Sequence, residues 1–95
     1  MNDELHIISL IVHAMPKRTE EVSMAIIALP HAQIHGSDAN GKMVVTLEAN
    51  TSAAIVDQMG TIKRIHGVIS VTMVYQHIES LESLNTEINH ADYQT

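Results

Sequence analysis

Seven histidines and no cysteine define what chemistry this 95-residue chain can do. Without a thiol there is no disulfide framework, no thiolate metal site and no cysteine nucleophile. The histidine pair with the best metal spacing is His31-Ala-Gln-Ile-His35. On a helix, residues four apart would converge on one ion. Here the pair follows Pro30 and leads into a segment that reads as a strand. Four residues of strand span about 13 Å, too far for one ion. His6 and His13 have opposite strand parity and face apart. A metal site needs three or four converging ligands, so none is expected. A serine nucleophile would need a base and an orienting acid, and no G-x-S-x-G is present. No glycine-rich phosphate loop occurs either. The residues point to binding rather than catalysis.

The binding candidates come from the stretch Gly67–His77, GVISVTMVYQH, in which Ser70 and Thr72 interrupt an apolar strand at alternate positions. Alternation of period two separates the two faces of a strand. One set, Ile69, Val71, Met73 and Tyr75, is expected to face a core. The other, Val68, Ser70, Thr72 and Val74, is expected to face away. Two further segments have the same character. Residues 5–14, LHIISLIVHA, separate Ile8, Leu10, Val12 and Ala14 from Ile7, Ser9, Ile11 and His13. Lys42–Ala49 separates Met43, Val45, Leu47 and Ala49 from Lys42, Val44, Thr46 and Glu48.

Helical spacing fills the gaps. Pro16 suits a first helical turn, where its missing N–H costs nothing. From Lys17 to Leu29, Val22, Ala25, Ile26 and Leu29 form one stripe, and Pro30 ends it. Met24 and Ile27 fall on the outer side. A short strand over Gln33–Ser37 follows, with Ile34 inward. Asp38-Ala39-Asn40-Gly41 has the composition of a tight turn, because Asn and Gly tolerate positive φ. Asn50 or Thr51 can cap a second helix to about Ile65, with Ile55, Met59 and Ile62 inward. His66 can sit at its negative end, and Gly67 supplies a C-terminal stop. The last strand is predicted over Val68–Tyr75.

The order is β-α-β-β-α-β. A shift of 36 positions lays Ile26 on Ile62 and Leu29 on Ile65, so the chain reads as two βαβ halves. That doubling is the α+β ferredoxin-like arrangement: a four-stranded antiparallel sheet with both helices on one face. The other face has no helix to cover it. It would present Ser9, Ile11, His13, Val44, Thr46, Glu48, Ser70, Thr72 and Val74. A merely solvated face would carry mostly Lys, Arg, Glu and Gln. Small hydroxyls, β-branched aliphatics and one carboxylate make a surface dry enough to bind a partner. Plain exposure of good strand residues is the alternative. A second copy of the chain covering the sheet is another.

Composition narrows the partner. The chain is large enough for one core, and 45% of it is apolar, with neither Phe nor Trp. Net charge is −6 with neutral histidines. The five cations, Lys17, Arg18, Lys42, Lys63 and Arg64, fall in three separate places along the sequence. A phosphate-tracking surface would need them together, so nucleic acid is not expected. An acidic chain favours basic partners. The acidic start, MNDELHI, differs from a secretory signal. No apolar run approaches the roughly 20 residues that span a bilayer. A cytoplasmic protein without stable membrane insertion is expected. Residues 1–77 form the expected domain. Residues 78–95 carry Glu79, Glu82, Glu87 and Asp92 with no Lys or Arg, and are expected to be a frayed helix or a disordered tail.

The combination ISLIVHA, LPHAQIHGSDANGKMVVTLEA and IHGVISVTMVYQH resembles the NapD family over roughly residues 5–77. Its most specific parts are Ser37-Asp38 with Gly41-Lys42, Leu47-Glu48-Ala49, and Gly67-Val68 leading to Val74-Tyr75. Two positions depart from the family pattern. Pro30-His31 stands where Pro-Gly is common, and the histidine after Val-Tyr comes one place later, as His77. The resemblance implies a small cytoplasmic chaperone for the catalytic subunit of the periplasmic nitrate reductase. Such proteins bind the twin-arginine signal peptide of the precursor and restrain export until the molybdenum cofactor is inserted. They carry no cofactor and catalyse no reaction. Arginines want carboxylates in bidentate contact, and Glu48 is the acid on the expected face. Ile11, Val44 and Val74 would meet the apolar segment of the peptide. A monomer or weak homodimer is expected. The competing reading is a ferredoxin-like small-molecule sensor or dimerisation module. A sensor of that type needs a glycine-rich first βα turn, and HAMPKRTEE has no glycine.

Overall fold

A computed structural model of the chain describes residues 4–80. The elements are β1 (Glu4–Ala14), a 3-10 turn (Pro16–Arg18), α1 (Thr19–Ile27), β2 (Ala32–Ser37), β3 (Lys42–Ala49), α2 (Ser52–Lys63) and β4 (Val68–Ser80). The sheet order is β2-β3-β1-β4 with every neighbouring pair antiparallel. This is the expected ferredoxin-like plait.

Alternation along the two central strands builds the core. Ile8, Leu10, Val12 and Ala14 of β1 and Met43, Val45 and Leu47 of β3 are fully buried, in one cluster with Val22 and Ile26 of α1 and Ile55 and Ile62 of α2. Both helices therefore cover the same face. Each buried Leu, Ile or Val side chain contributes about 1.5–3 kcal/mol relative to exposure. The expected inward residues Leu29, Ile34 and Met59 are only partly buried, at the margin of this cluster, and Ala25 is also only partly buried.

Local chemistry sets the joints. Pro16 stands in the first turn as expected, but it opens a 3-10 turn, and α1 proper begins at Thr19. The Thr51 side chain accepts a hydrogen bond from the Ala54 N–H at 3.1 Å, which makes Thr51 the α2 cap rather than Asn50. Such a cap is worth about 1 kcal/mol. The Asp38 carboxylate accepts from the Asn40 and Lys42 amides at 2.9 and 3.0 Å and closes the β2–β3 hairpin. Gly41, at φ 91°, lies against the end of β1, where a Cβ would collide with the Ala14 carbonyl. Only glycine fits that approach.

β4 departs from its expected form in two ways. It runs to Ser80, five residues beyond the predicted end at Tyr75, because it pairs with β1 all the way back to Glu4. Residues 78–80, expected to start the tail, are therefore strand; the remainder of that tail, 81–95, lies outside the described residues. The second departure is a pair of register shifts, between Ser9/Leu10 and between His13/Ala14. Each inserts one extra residue on β4, Val74 and Ile69 respectively. A one-residue slip moves the following side chains to the opposite face.

Those bulges correct three expected orientations. Val68 pairs with Ala14 and packs against the core rather than facing away. Ile69, expected inward, is the bulged residue and is 58% exposed. Tyr75, also expected inward, lies across from Ser9 on the opposite face. Val71 and Met73 pair with Val12 and Leu10 on the helix side, as expected. Met73 is nonetheless 47% exposed, because β4 is an edge strand that the helices cover only in part.

Candidate peptide-binding face

The face opposite the helices is ordered by register into rows. In the first, Glu48 of β3, Ile7 of β1 and His77 of β4 lie side by side. The second holds Gln33, Thr46, Ser9 and Tyr75. Gly36, Val44, Ile11 and Thr72 form the third, and Lys42, His13 and Ser70 the fourth. Eight of the nine residues expected on this face thus share it: Ser9, Ile11, His13, Val44, Thr46, Glu48, Ser70 and Thr72. Val74, the ninth, occupies the bulge, and Tyr75 takes its place in the row beside Ser9.

Sequence reasoning left several members out. Tyr75 and His77 stack with ring centroids 6.2 Å apart and planes 10° apart, and the Tyr75 hydroxyl lies 3.4 Å from His77 Nδ1. Their i, i+2 spacing could have paired them, but only the Val74 bulge turns both to this side. His35 is itself the extra residue of a bulge between Ile34 and Gly36. Its Nε2 lies 2.7 Å from Thr46 Oγ1, which brings the ring to the same face. Ile7 had the correct parity. The face is therefore more aromatic and richer in imidazole than its Ser/Thr/Val pattern alone implies.

No element of the chain covers this surface within the described residues. Ile7, Ser9, Ile11, His13 and Thr46 are half-buried by their neighbours; Val44, Glu48, Ser70 and Thr72 are exposed. Among the described residues, no group of three or more His, Asp or Glu side chains is placed to hold a metal ion. No helix among them is long and apolar enough to cross a membrane.

Charge is distributed unevenly along the strands. Lys17 and Arg18 follow the end of β1, and Lys42 lies across from His13 near that end. Lys63 and Arg64 close α2 just before Gly67, whose carbonyl accepts from the Met15 amide at 2.8 Å. The three places that separate the cations in sequence therefore meet at one end of the sheet. Glu20, Glu21 and Asp38 stand at the same end, and Arg18 pairs with Glu21 at 3.2 Å, so the cations do not form an uninterrupted phosphate-binding surface. At the other end lie Glu4 and Glu48, with no Lys or Arg among the described residues there.

A family model described as NapD protein matches residues 5–80. The chain belongs to the NapD family. Among NapD relatives, the Chaperone NapD of Haemophilus influenzae is 35% identical over 71 residues, covering 74% of this chain and 76% of the relative. The Chaperone NapD of Escherichia coli K12 is 29% identical over 80 residues, covering 83% and 92%. The solution structure of the E. coli Tat proofreading chaperone protein NapD superposes with a TM-score of 0.74 at 29% identity, covering 79% of this chain and 80% of that one. The NapD match extends to Ser80, the last residue of β4.

Proposed function

We propose that this NapD-family protein is a cytoplasmic, non-catalytic chaperone. Its ligand is the twin-arginine signal peptide of the periplasmic nitrate reductase catalytic precursor, and binding restrains export until the cofactor has been inserted. The observation that carries the reading is the uncovered sheet face. It combines aliphatic side chains (Ile7, Ile11, Val44), small hydroxyls (Ser9, Thr46, Ser70, Thr72) and one carboxylate, Glu48, on a chain of net charge −6. A twin-arginine peptide has the complementary chemistry, a cationic segment followed by an apolar one. The relatives named Chaperone NapD and the Tat proofreading structure support the same reading.

The mechanism is occlusion. A peptide held against the sheet buries its arginine pair at Glu48 and its apolar segment along Ile11 and Val44, so neither is free for export machinery. A charge-assisted hydrogen bond contributes about 1.5–3 kcal/mol, and a bidentate pair distinguishes arginine from lysine. The test is a titration of the full chain with the twin-arginine peptide and with its Lys-Lys version. Saturable binding of the first, and binding at least about tenfold weaker of the second, is expected from the loss of one such contact. Equal binding of both peptides, or of neither, would refute the assignment. Sedimentation of the free chain as a dimer whose sheet face is covered would favour the dimerisation module instead.

A further inference from the structure

Gly36 directly follows the His35 bulge of β2, yet neither its φ nor its packing requires glycine. A strand glycine weakens the strand and often marks a bulge or the close approach of another molecule. Its φ is not positive, unlike those of Gly41 and Gly67, so its backbone suits any residue. A Cβ built on it would meet nothing within 4 Å, so packing does not exclude a side chain either. Gly36 lies beside Val44, which lies beside Ile11, in one row of the helix-free face. These three line a depression of roughly 380 Å³, completed by Ser37, Asp38, Lys42 and Met43. The missing side chain keeps this depression open.

We propose that the depression over Gly36 is a subsite for one bulky apolar side chain of the bound peptide, and that the peptide lies with its arginines toward Glu48. The inference rests on the signal-peptide reading of the face. Charge selects the occupant and its direction. Lys42 lines the depression, and the remaining four Lys and Arg residues gather at the same end of the sheet. Even with Glu20, Glu21 and Asp38 counted, that end carries an excess of cations and disfavours an arginine pair. Glu48 attracts it from the other end, four residues along β3 from Val44, or about 13 Å. The part of the ligand that reaches Gly36 is therefore its apolar segment. Ile11 and Val44 offer it an aliphatic surface.

The test uses the full chain and the synthetic twin-arginine peptide, followed by calorimetry and thermal melts. Gly36→Val places a β-branched side chain in the depression, and Gly36→Ala a smaller one. Both should melt at or above the wild-type temperature, because each replaces a strand glycine. Gly36→Val should weaken the peptide at least about tenfold and Gly36→Ala less, as the subsite fills. Coupling fixes direction. Gly36→Val should lose its effect on a peptide whose docking apolar residue is alanine, and Glu48→Gln on the Lys-Lys peptide. Wild-type affinity in Gly36→Val, with Glu48→Gln impaired, would overturn the subsite while leaving the signal-peptide reading intact. Crossed couplings would overturn the direction. Lowered melting in both glycine variants would return Gly36 to a structural role and also overturn the subsite. Failure of the wild-type chain to bind the peptide would instead overturn the signal-peptide reading, and the subsite with it.

Discussion

The two faces of this sheet are made from the same strands by opposite rules. On the helix side, β1 and β3 present Ile8, Leu10, Val12, Met43, Val45 and Leu47, all fully buried. On the other side the intervening positions are Ile7, Ser9, Ile11, Val44, Thr46 and Glu48, half-buried or exposed. The first face has exhausted its contacts within the chain. The second retains apolar area without a partner among the described residues, and polar groups spaced to keep it soluble. Folding stability is therefore concentrated on one side of a single layer, and the other side is the proposed place of recognition. Because alternate residues of one strand belong to the two faces, each face can be changed without the other.

The sharpest way to break that comparison is a pair of neighbouring truncations. Leu10→Ala should cost about 2–5 kcal/mol of folding stability, the usual range for a buried leucine. Ile11→Ala, one residue on, should cost less than half of that and should weaken the peptide instead. Denaturant unfolding with parallel titrations measures both. Equal destabilisation by the two would mean that the second face is also structural.

Thr72→Lys should be the most damaging single change for binding. Thr72 is exposed and lies beside Ile11, so a lysine there is tolerated by the fold. It sets a charged side chain in the row of Ile11 and Val44, where the apolar segment of the peptide should lie, and blocking that contact and desolvating the ammonium should cost about 3 kcal/mol. Loss of binding with an unchanged melting temperature is expected. Glu48→Gln is milder. It should remove about 1.5–3 kcal/mol, or roughly ten- to a hundredfold in affinity. If Glu48 is only a solvated strand residue, calorimetry will show no change.

The smallest effect should come from deleting 81–95. That segment contributes Glu82, Glu87 and Asp92 and no Lys or Arg. Its attraction for a basic peptide acts over distance and is screened within about 10 Å at 0.1 M salt. Binding should fall by less than about 1 kcal/mol at low salt, and not measurably at high salt. Unfolding of the shortened chain would show that these residues belong to the core.

Much of the architecture is legible in the sequence because it is written in local terms. Period-two alternation in LHIISLIVHA and KMVVTLEA assigns two strands and their buried sides. Asp38 and Gly41 mark the hairpin by hydrogen-bonding capacity and positive φ, and Thr51 marks the start of α2; Gly67 serves the turn into β4 rather than the helix end, because α2 stops at Lys63 with Arg64 as its cap. Eight of nine expected face residues follow from that parity alone. What tertiary structure decided is everything set by a partner strand. Nothing in VTMVYQH announces that Val74 is an extra residue; the count is imposed by β1 opposite, and it moves Tyr75 and His77 onto the helix-free face together. The same pairing carries β4 to Ser80, although Ile78 to Ser80 read locally as the start of a tail. Convergence of Lys17, Arg18, Lys42, Lys63 and Arg64 at one end is likewise invisible along the chain. The antiparallel plait brings the end of β1, the start of β3 and the end of α2 together. Side-chain parity is a short-range property of backbone geometry, whereas bulges and charge clusters depend on which distant segments become neighbours.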